Sequence, residues 1–323
     1  MIGRRRLAAG AGGIIVASAG AAPAQQAHPR GPRIGILDDG PNWIFFREAM
    51  RELGYVEGST IAYEYRAADG NPERLAAAAA ELARLPVDLF AVYGTVASRA
   101  AQSATTTIPI VSIATGDPVR AGLVHSLSQP GGNLTGNTMI GVDLGPKRLQ
   151  LLRELIPKAA RVACLWNPDN ASSTAFLQDL RAAAPALALE IVSAPMRSAG
   201  EVDQAFALML ERRVDAFLMT LDPVVQQQIS RIIAFMIERR VPAIFLAREN
   251  ALAGGLVSYG ASNRDMFRHG ASYVHRILQG ARPSALPVWQ PDRLELVFNL
   301  GTARALGIVV PPLLLARADE MIE

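Results

Sequence analysis

The chain has 323 residues, 50% of them hydrophobic, enough for a sizeable core in one large domain or two ordinary ones. Its net charge of +3 is matched by Arg4, Arg5 and Arg6 alone, so the rest carries no basic excess suited to nucleic acid. A single cysteine, Cys164, rules out an internal disulfide, and its place in an apolar run reads as a small buried hydrophobe.

Residues 1–24 read as a secretory signal peptide. Three arginines precede an uncharged run of apolar and small residues over 7–22, and Ala22-Pro23-Ala24 forms a small-x-small site. The run falls short of the roughly 20 strongly apolar residues of a membrane span. The adjacent arginines also fit the twin-arginine export route. Gly10-Ala11-Gly12-Gly13 has no strand before it and lacks the third glycine of a nucleotide loop. Cleavage near Ala24 predicts a periplasmic protein, and with no cysteine there to carry a lipid, a soluble one.

Arg33-Ile34-Gly35-Ile36-Leu37 is an apolar run too short for a helix, followed by the turn residues Asp38-Asp39-Gly40-Pro41-Asn42. This predicts a buried parallel strand feeding a helix over 43–53 that stops at Gly54. A second strand is expected at 61–65. Asn71 then caps a helix that has Pro72 at its first position and runs to 85. The third strand, 88–93, ends at Gly94-Thr95, and the fourth ends at Thr115-Gly116-Asp117-Pro118. Residues 135–140 read as a crossing between lobes, and a helix over 147–155 is broken by Pro157.

The pattern then restarts. Arg161-Val162-Ala163-Cys164-Leu165-Trp166-Asn167-Pro168-Asp169-Asn170 repeats the first strand and its turn, and 189–193, 215–220 and 241–246 answer to the next three strands. Four strands in one order, separated by helices, occur twice. This predicts two similar Rossmann-like α/β lobes with parallel sheets. Residues 254–260 read as a strand or crossing, 265–279 as a helix, 294–299 as the last strand and 300–306 as the last helix, closed by Pro311-Pro312. The lobes are assigned as 33–138 plus 253–282 and 139–252 plus 283–323. Several crossings restrict them to opening and closing about a hinge.

Of the four histidines, His28, His125, His269 and His275, the last two lie about 240° apart around a helix, so no metal site is read. Ser258 lacks G-x-S-x-G spacing, and no nucleophile has an evident base. No cofactor is expected, and no enzyme.

What remains is polar residues at the carboxyl ends of predicted strands, where open parallel sheets bind ligands. They are Asp38 and Asp39, Gly94 and Thr95, Thr115 and Asp117 in the first lobe. In the second they are Asn167, Asp169 and Asn170, then Thr220 and Asp222, then Arg248 and Glu249. Each also suits a plain helix cap, and Arg248-Glu249 suits a surface pair. Trp43 and Tyr259 could stack on a ligand or border the core. The case rests on collective placement.

Several longer motifs carry a resemblance. Arg47-Glu48-Ala49-Met50-Arg51-Glu52-Leu53-Gly54-Tyr55-Val56-Glu57-Gly58, Gly116-Asp117-Pro118-Val119, Leu127-Ser128-Gln129-Pro130-Gly131-Gly132-Asn133-Leu134-Thr135-Gly136, Ser258-Tyr259-Gly260 and Leu313-Leu314-Leu315-Ala316-Arg317-Ala318-Asp319-Glu320 are among them. Through these the chain resembles the ABC-transporter substrate-binding proteins of the tryptophan/tyrosine-type family, essentially end to end. The resemblance implies a type I periplasmic-binding-protein fold and an exported, monomeric solute receptor that delivers to a permease with a cytoplasmic ATPase. By position it implies that Gly94, Thr95, Thr115, Asp117, Asn167, Asp169, Asp222 and Glu249 face the ligand. The loops at Asp38-Asp39-Gly40 and Trp166 depart from many relatives, so the solute's identity does not transfer.

A small polar organic solute, such as an amino acid, is expected. Its ammonium would meet Asp117 or Asp222, and its carboxylate Thr95 or Thr115 with helix N-terminal N–H groups. A receptor for a membrane sensor, without transport, is the alternative. A repressor would need a helix-turn-helix where the leader stands, and a two-lobe enzyme would need a catalytic pair in the cleft.

Overall fold

The computed structural model describes residues 31–37, 42–68, 71–139, 144–220 and 222–323. The first lobe holds β1 (Arg33–Leu37), α1 (Trp43–Glu52), β2 (Ala62–Arg66), α2 (Pro72–Arg84), β3 (Leu89–Tyr93), α3 (Thr95–Ala104), β4 (Ile110–Thr115) and β5 (Leu134–Thr138). The second begins with α4 (Leu144–Leu155), β6 (Arg161–Trp166), α5 (Ala171–Ala183), β7 (Glu190–Pro195), α6 (Val202–Glu211) and β8 (Ala216–Met219). It continues through α7 (Pro223–Gln227), α8 (Ile229–Glu238), β9 (Ala243–Phe245), α9 (Arg248–Leu252) and β10 (Val257–Ala261). The chain returns to the first lobe as α10 (Asn263–Leu278) and finishes in the second with β11 (Leu294–Asn299), α11 (Leu300–Leu306), α12 (Pro312–Leu315) and β12 (Glu320–Ile322).

The strand order is β2-β1-β3-β4-β5 in one sheet and β12-β11-β10-β9-β8-β6-β7 in the other. The sequence repeat thus becomes one spatial order used twice, with β6 to β10 standing as β1 to β5 do. All the pairings are parallel except that of β10 with β11. Parallel strands covered on both faces must be apolar on both. Ile34, Ile36, Val111 and Ile113 accordingly join Phe46 of α1 and Phe267 of α10 on one face, while Leu37, Phe90 and Val92 join Leu75 and Leu82 of α2 on the other. In the second lobe Val162, Cys164 and Leu218 face α4 and α5, and Ala163, Leu165 and Phe217 face α6 and α8. Cys164 is fully buried, which pushes its thiol pKa up and leaves it inert.

Three boundaries differ from the sequence reading. Residues 253–261 were expected in the first lobe, but β10 is hydrogen-bonded between β9 and β11 of the second sheet. It fills the fifth position there, as β5 does in the first sheet, so the chain crosses between Ala261 and Asn263. Residues 283–289 were expected in the second lobe. Leu286 and Val288 instead lie in the first lobe's core, and Trp289 forms a bridge with Asn137. Residues 135–138 are part of an edge strand of the first sheet, not a crossing.

The end of the chain also holds more structure than expected. Gly307, at φ 70°, stops α11 in the left-handed conformation that glycine adopts most easily. Pro312 then opens α12. The three-residue β12 pairs with β11, and so short a strand has no readable alternation. Among the described residues, no helix is long and apolar enough to cross a membrane.

Candidate ligand-binding cleft

The carboxyl ends of the two sheets face one another. On the first-lobe side, Gly94 at φ 90° turns the chain abruptly from β3 into α3. Thr95 Oγ1 accepts from the Gly116 amide at 3.2 Å, which ties the loop after β3 to the loop after β4. The Thr115 hydroxyl donates to the Asn137 carbonyl at 3.1 Å. Asp117 Oδ1 accepts from the amides of Val119 and Arg120 at 3.1 and 2.9 Å, closing the following turn.

The second-lobe side is a buried polar lattice. Asn170 Oδ1 caps α5 by accepting from the Ser172 amide at 3.0 Å, and its Nδ2 donates to Asp222 Oδ2 at 2.9 Å. Asp222 Oδ1 caps α7, accepting from Val224 and Val225 at 2.8 and 3.2 Å. Burial raises the Asp222 pKa against the opposing pull of these bonds and of the Asn167 side chain. Asn167 Oδ1 accepts from the Asp169 amide at 3.0 Å. The Ser173 hydroxyl donates to Thr220 at 2.9 Å, and Thr220 donates to the Leu165 carbonyl.

The walls touch. The hydroxyls of Thr95 and Ser172 share a hydrogen bond at 2.8 Å. Arg120 reaches across to Asp179 at 3.2 Å and to Gln178 at 2.9 Å. A Cβ added at Gly116 would lie 2.6 Å from Ser172 Oγ, so only glycine allows this approach. Behind the contact lies a cavity lined by Gly116, Met139, Leu144, Arg148, Phe176 and Leu246, among others.

Of the residues singled out from sequence, Gly94, Thr95, Thr115 and Asp117 stand together on one wall, with Asn167 and Asp222 on the other. Asp38 lies outside the described residues, as does Asp39. Asp169 is exposed, 3.8 Å from Arg197. Arg248 makes a two-pronged ion pair with Glu320 at 2.6 and 2.8 Å, which fastens the start of α9 to β12 and commits the guanidinium there. Glu249 accepts from Asn263 at 2.8 Å, linking α9 to the first turn of α10. Tyr259 packs against the second-lobe core. Trp43 is buried edge-on to Phe46 and Phe267 and belongs to the first-lobe core.

Sequence reasoning missed Ser172, Phe176 and Asp179, all on α5, and Arg120, which reaches α5 only across the two lobes. It also missed Arg148. This residue is only 4% exposed, its Nε donates to the Tyr259 carbonyl at 2.8 Å, and its guanidinium lies 5.9 Å from the Phe176 ring centre. Burial pulls its pKa down to about 10. A signal existed, because Arg148 stands four residues after Leu144 and four before Leu152, on the apolar face of α4.

The family of ABC transporter substrate binding proteins matches residues 45–322. The chain belongs to that family. A substrate-binding protein of this kind takes a small molecule to a membrane permease, which favours transport over sensing alone. A curated relative, the tyrosine-binding protein of Clostridioides difficile (strain R20291), is 26% identical over 264 residues, covering 81% of this chain and 75% of the relative. The fold matches that of the ABC domain from Streptococcus pneumonia in complex with L-Trp, with a TM-score of 0.83 at 23% identity, covering 90% of this chain and all of that one. A ligand-free, open substrate-binding protein with adhesive properties from Clostridium difficile gives a TM-score of 0.63 at 24% identity, covering 91% of this chain and 99% of that one. The two-lobe fold of this chain is that of type I periplasmic binding proteins.

Proposed function

We propose that the protein captures an amino acid with an aromatic or other apolar side chain between its lobes, outside the cytoplasm, and presents the closed form to an ABC permease. The observation that carries this reading is the closed cleft itself: two lobes meeting through Thr95 and Ser172, with a cavity behind them walled by Met139, Leu144, Phe176 and Leu246. The tyrosine-binding relative supports the ligand class, and the leader at 1–24 supports export by signal peptide. A cytoplasmic ATPase partner, a monomeric state and the absence of catalysis follow from the same reading.

Asp117 is the better candidate for the ammonium. Its Oδ1 is engaged by two amides, and among the described residues nothing bonds to its Oδ2, whereas both oxygens of Asp222 are taken. Micromolar affinity needs about −8 kcal/mol. Hydrogen bonds to charged groups contribute roughly 1.5–3 kcal/mol each, so a few suffice beside apolar burial. Ligand bound to both walls stabilises the closed arrangement in proportion to its differential affinity for it.

A thermal-shift screen of the twenty amino acids, simple sugars and nucleosides tests the reading. Ligand at 100 times its dissociation constant adds about 2.7 kcal/mol to the folded state. A selective shift with aromatic or branched amino acids, reduced but not abolished in Asp117→Ala, is expected. A shift with sugars or nucleosides alone would refute the ligand class.

A further inference from the structure

The hydroxyls that the sequence nominated for a ligand carboxylate are already committed. Thr115 donates to Asn137, and Thr95 is shared between the Gly116 amide and Ser172. The cavity nevertheless contains a cation for which the described residues supply no counter-ion. Arg148 makes one hydrogen bond, through Nε, and among the described residues no carboxylate lies within ion-pair distance of it. The nearby Asp179 is held by Arg120. A charge this deeply buried is costly unless it is paired. Natural proteins retain such a group where a partner arrives with the opposite charge.

We propose that Arg148 is the carboxylate anchor of the cleft, its terminal guanidinium nitrogens taking the carboxylate of the bound solute. The ligand class is then a small monocarboxylate with an apolar body; this rests on the reading of the cleft as the solute site. A planar guanidinium matches a carboxylate with two parallel hydrogen bonds, and in a water-poor cavity such bonds are strong. The Nε bond to the Tyr259 carbonyl fixes the plane of the fork. Leu144, Phe176 and Leu246 supply the apolar surface beside it. Arg148 also joins α4, just past one crossing of the chain, to β10, just before the next, so ligand charge is sensed where the lobes are hinged.

Isothermal titration of the purified protein decides the matter. The probes are L-tyrosine, L-tryptophan and L-leucine, the amines tyramine and tryptamine, and the ammonium-free acid 3-phenylpropionate. In the wild type, removing the carboxylate should weaken binding at least a hundredfold, and removing the ammonium much less. Arg148→Met should weaken the acids at least a hundredfold and leave the amines unchanged. The ligand-free Arg148→Met protein should melt higher than the wild type, because a buried unpaired charge has been replaced by an apolar chain. Arg148→Lys should retain part of the affinity.

Arg148→Met binding the acids within threefold of the wild type, or a wild type that prefers the amines or binds none of the acids, would overturn the anchor. Ser172→Trp, which fills the cleft, separates the two claims. If it abolishes binding while Arg148→Met does not, the cleft stands and the anchor falls. If it binds as the wild type does, the cleft is not the site and the anchor falls with it.

Discussion

Thr95 and Ser172 stand 77 positions apart, each in the first turn of its own helix, and their hydroxyls meet at 2.8 Å across the two lobes. This contact exists only while the lobes are closed, and Gly116 makes room for it. A side chain at 116 would run into Ser172. Gly116→Val is therefore expected to hold the lobes apart and weaken ligand affinity by about tenfold or more, roughly 1.4 kcal/mol per tenfold. Small-angle scattering with saturating ligand should show a larger radius of gyration than in the wild type.

Arg120 forms a second latch, paired with Asp179 and Gln178 of the opposite lobe. The pair is partly exposed, at 40% and 23%. Its worth is that of a surface ion pair, about 0.2–1 kcal/mol. Arg120→Ala should weaken affinity by no more than about fivefold, mostly through faster release. The wild-type advantage should shrink as salt is raised, which stopped-flow release at two ionic strengths would show.

Arg248 makes the opposite case. Its guanidinium is bound to Glu320, and the pairing of β12 with β11 depends on it in part. Arg248→Ala is expected to leave ligand affinity unchanged and to cost about 1 kcal/mol of stability at most. Faster amide exchange in 320–322 would mark the release of β12. A large loss of affinity would return Arg248 to the cleft.

His269 gives the fold a predicted acid sensitivity. It is stacked on Trp289 with ring centres 4.3 Å apart. Its Nδ1 lies 2.8 Å from Asn137 Oδ1. The Asn137 amide already donates to the carbonyls of Ile113 and Met266, so its oxygen must face His269, and Nδ1 carries the proton. Burial, with Arg276 adding, holds the pKa down at about 4, against about 6.5 in an unfolded chain. The folded pKa is the lower one, so the unfolded chain takes up the proton first. Stability from this group is full above about pH 6.5, falls as pH drops toward about 4, and changes no further below. Urea midpoints for wild type and His269→Gln between pH 7 and pH 4 should converge as pH falls.

Much of the fold was legible because buried parallel strands leave a local mark. The apolar runs at Arg33–Leu37 and Arg161–Trp166, each followed by turn residues, were enough to find the repeat, and the repeat gave the strand order its symmetry. The caps were local too: Asn71 accepts from the Arg74 amide three residues on, as read from sequence. What failed was long-range. Nothing in Val257–Ala261 says which sheet it joins, because its partners Ile244 and Val297 lie on either side of it in the chain at a distance that only folding closes.

The same division runs through the cleft. The sequence by itself determined that polar residues would gather at the carboxyl ends of two parallel sheets, since strand periodicity and turn chemistry are properties of neighbouring residues. Only the tertiary structure decided which of them are occupied. Arg248 is tied to Glu320 and Asp222 to its own helix, while Arg148 is buried with no acid of the described residues at ion-pair distance. Whether a charge is paired depends on atoms brought together from distant parts of the chain, and composition and spacing carry no record of that distance.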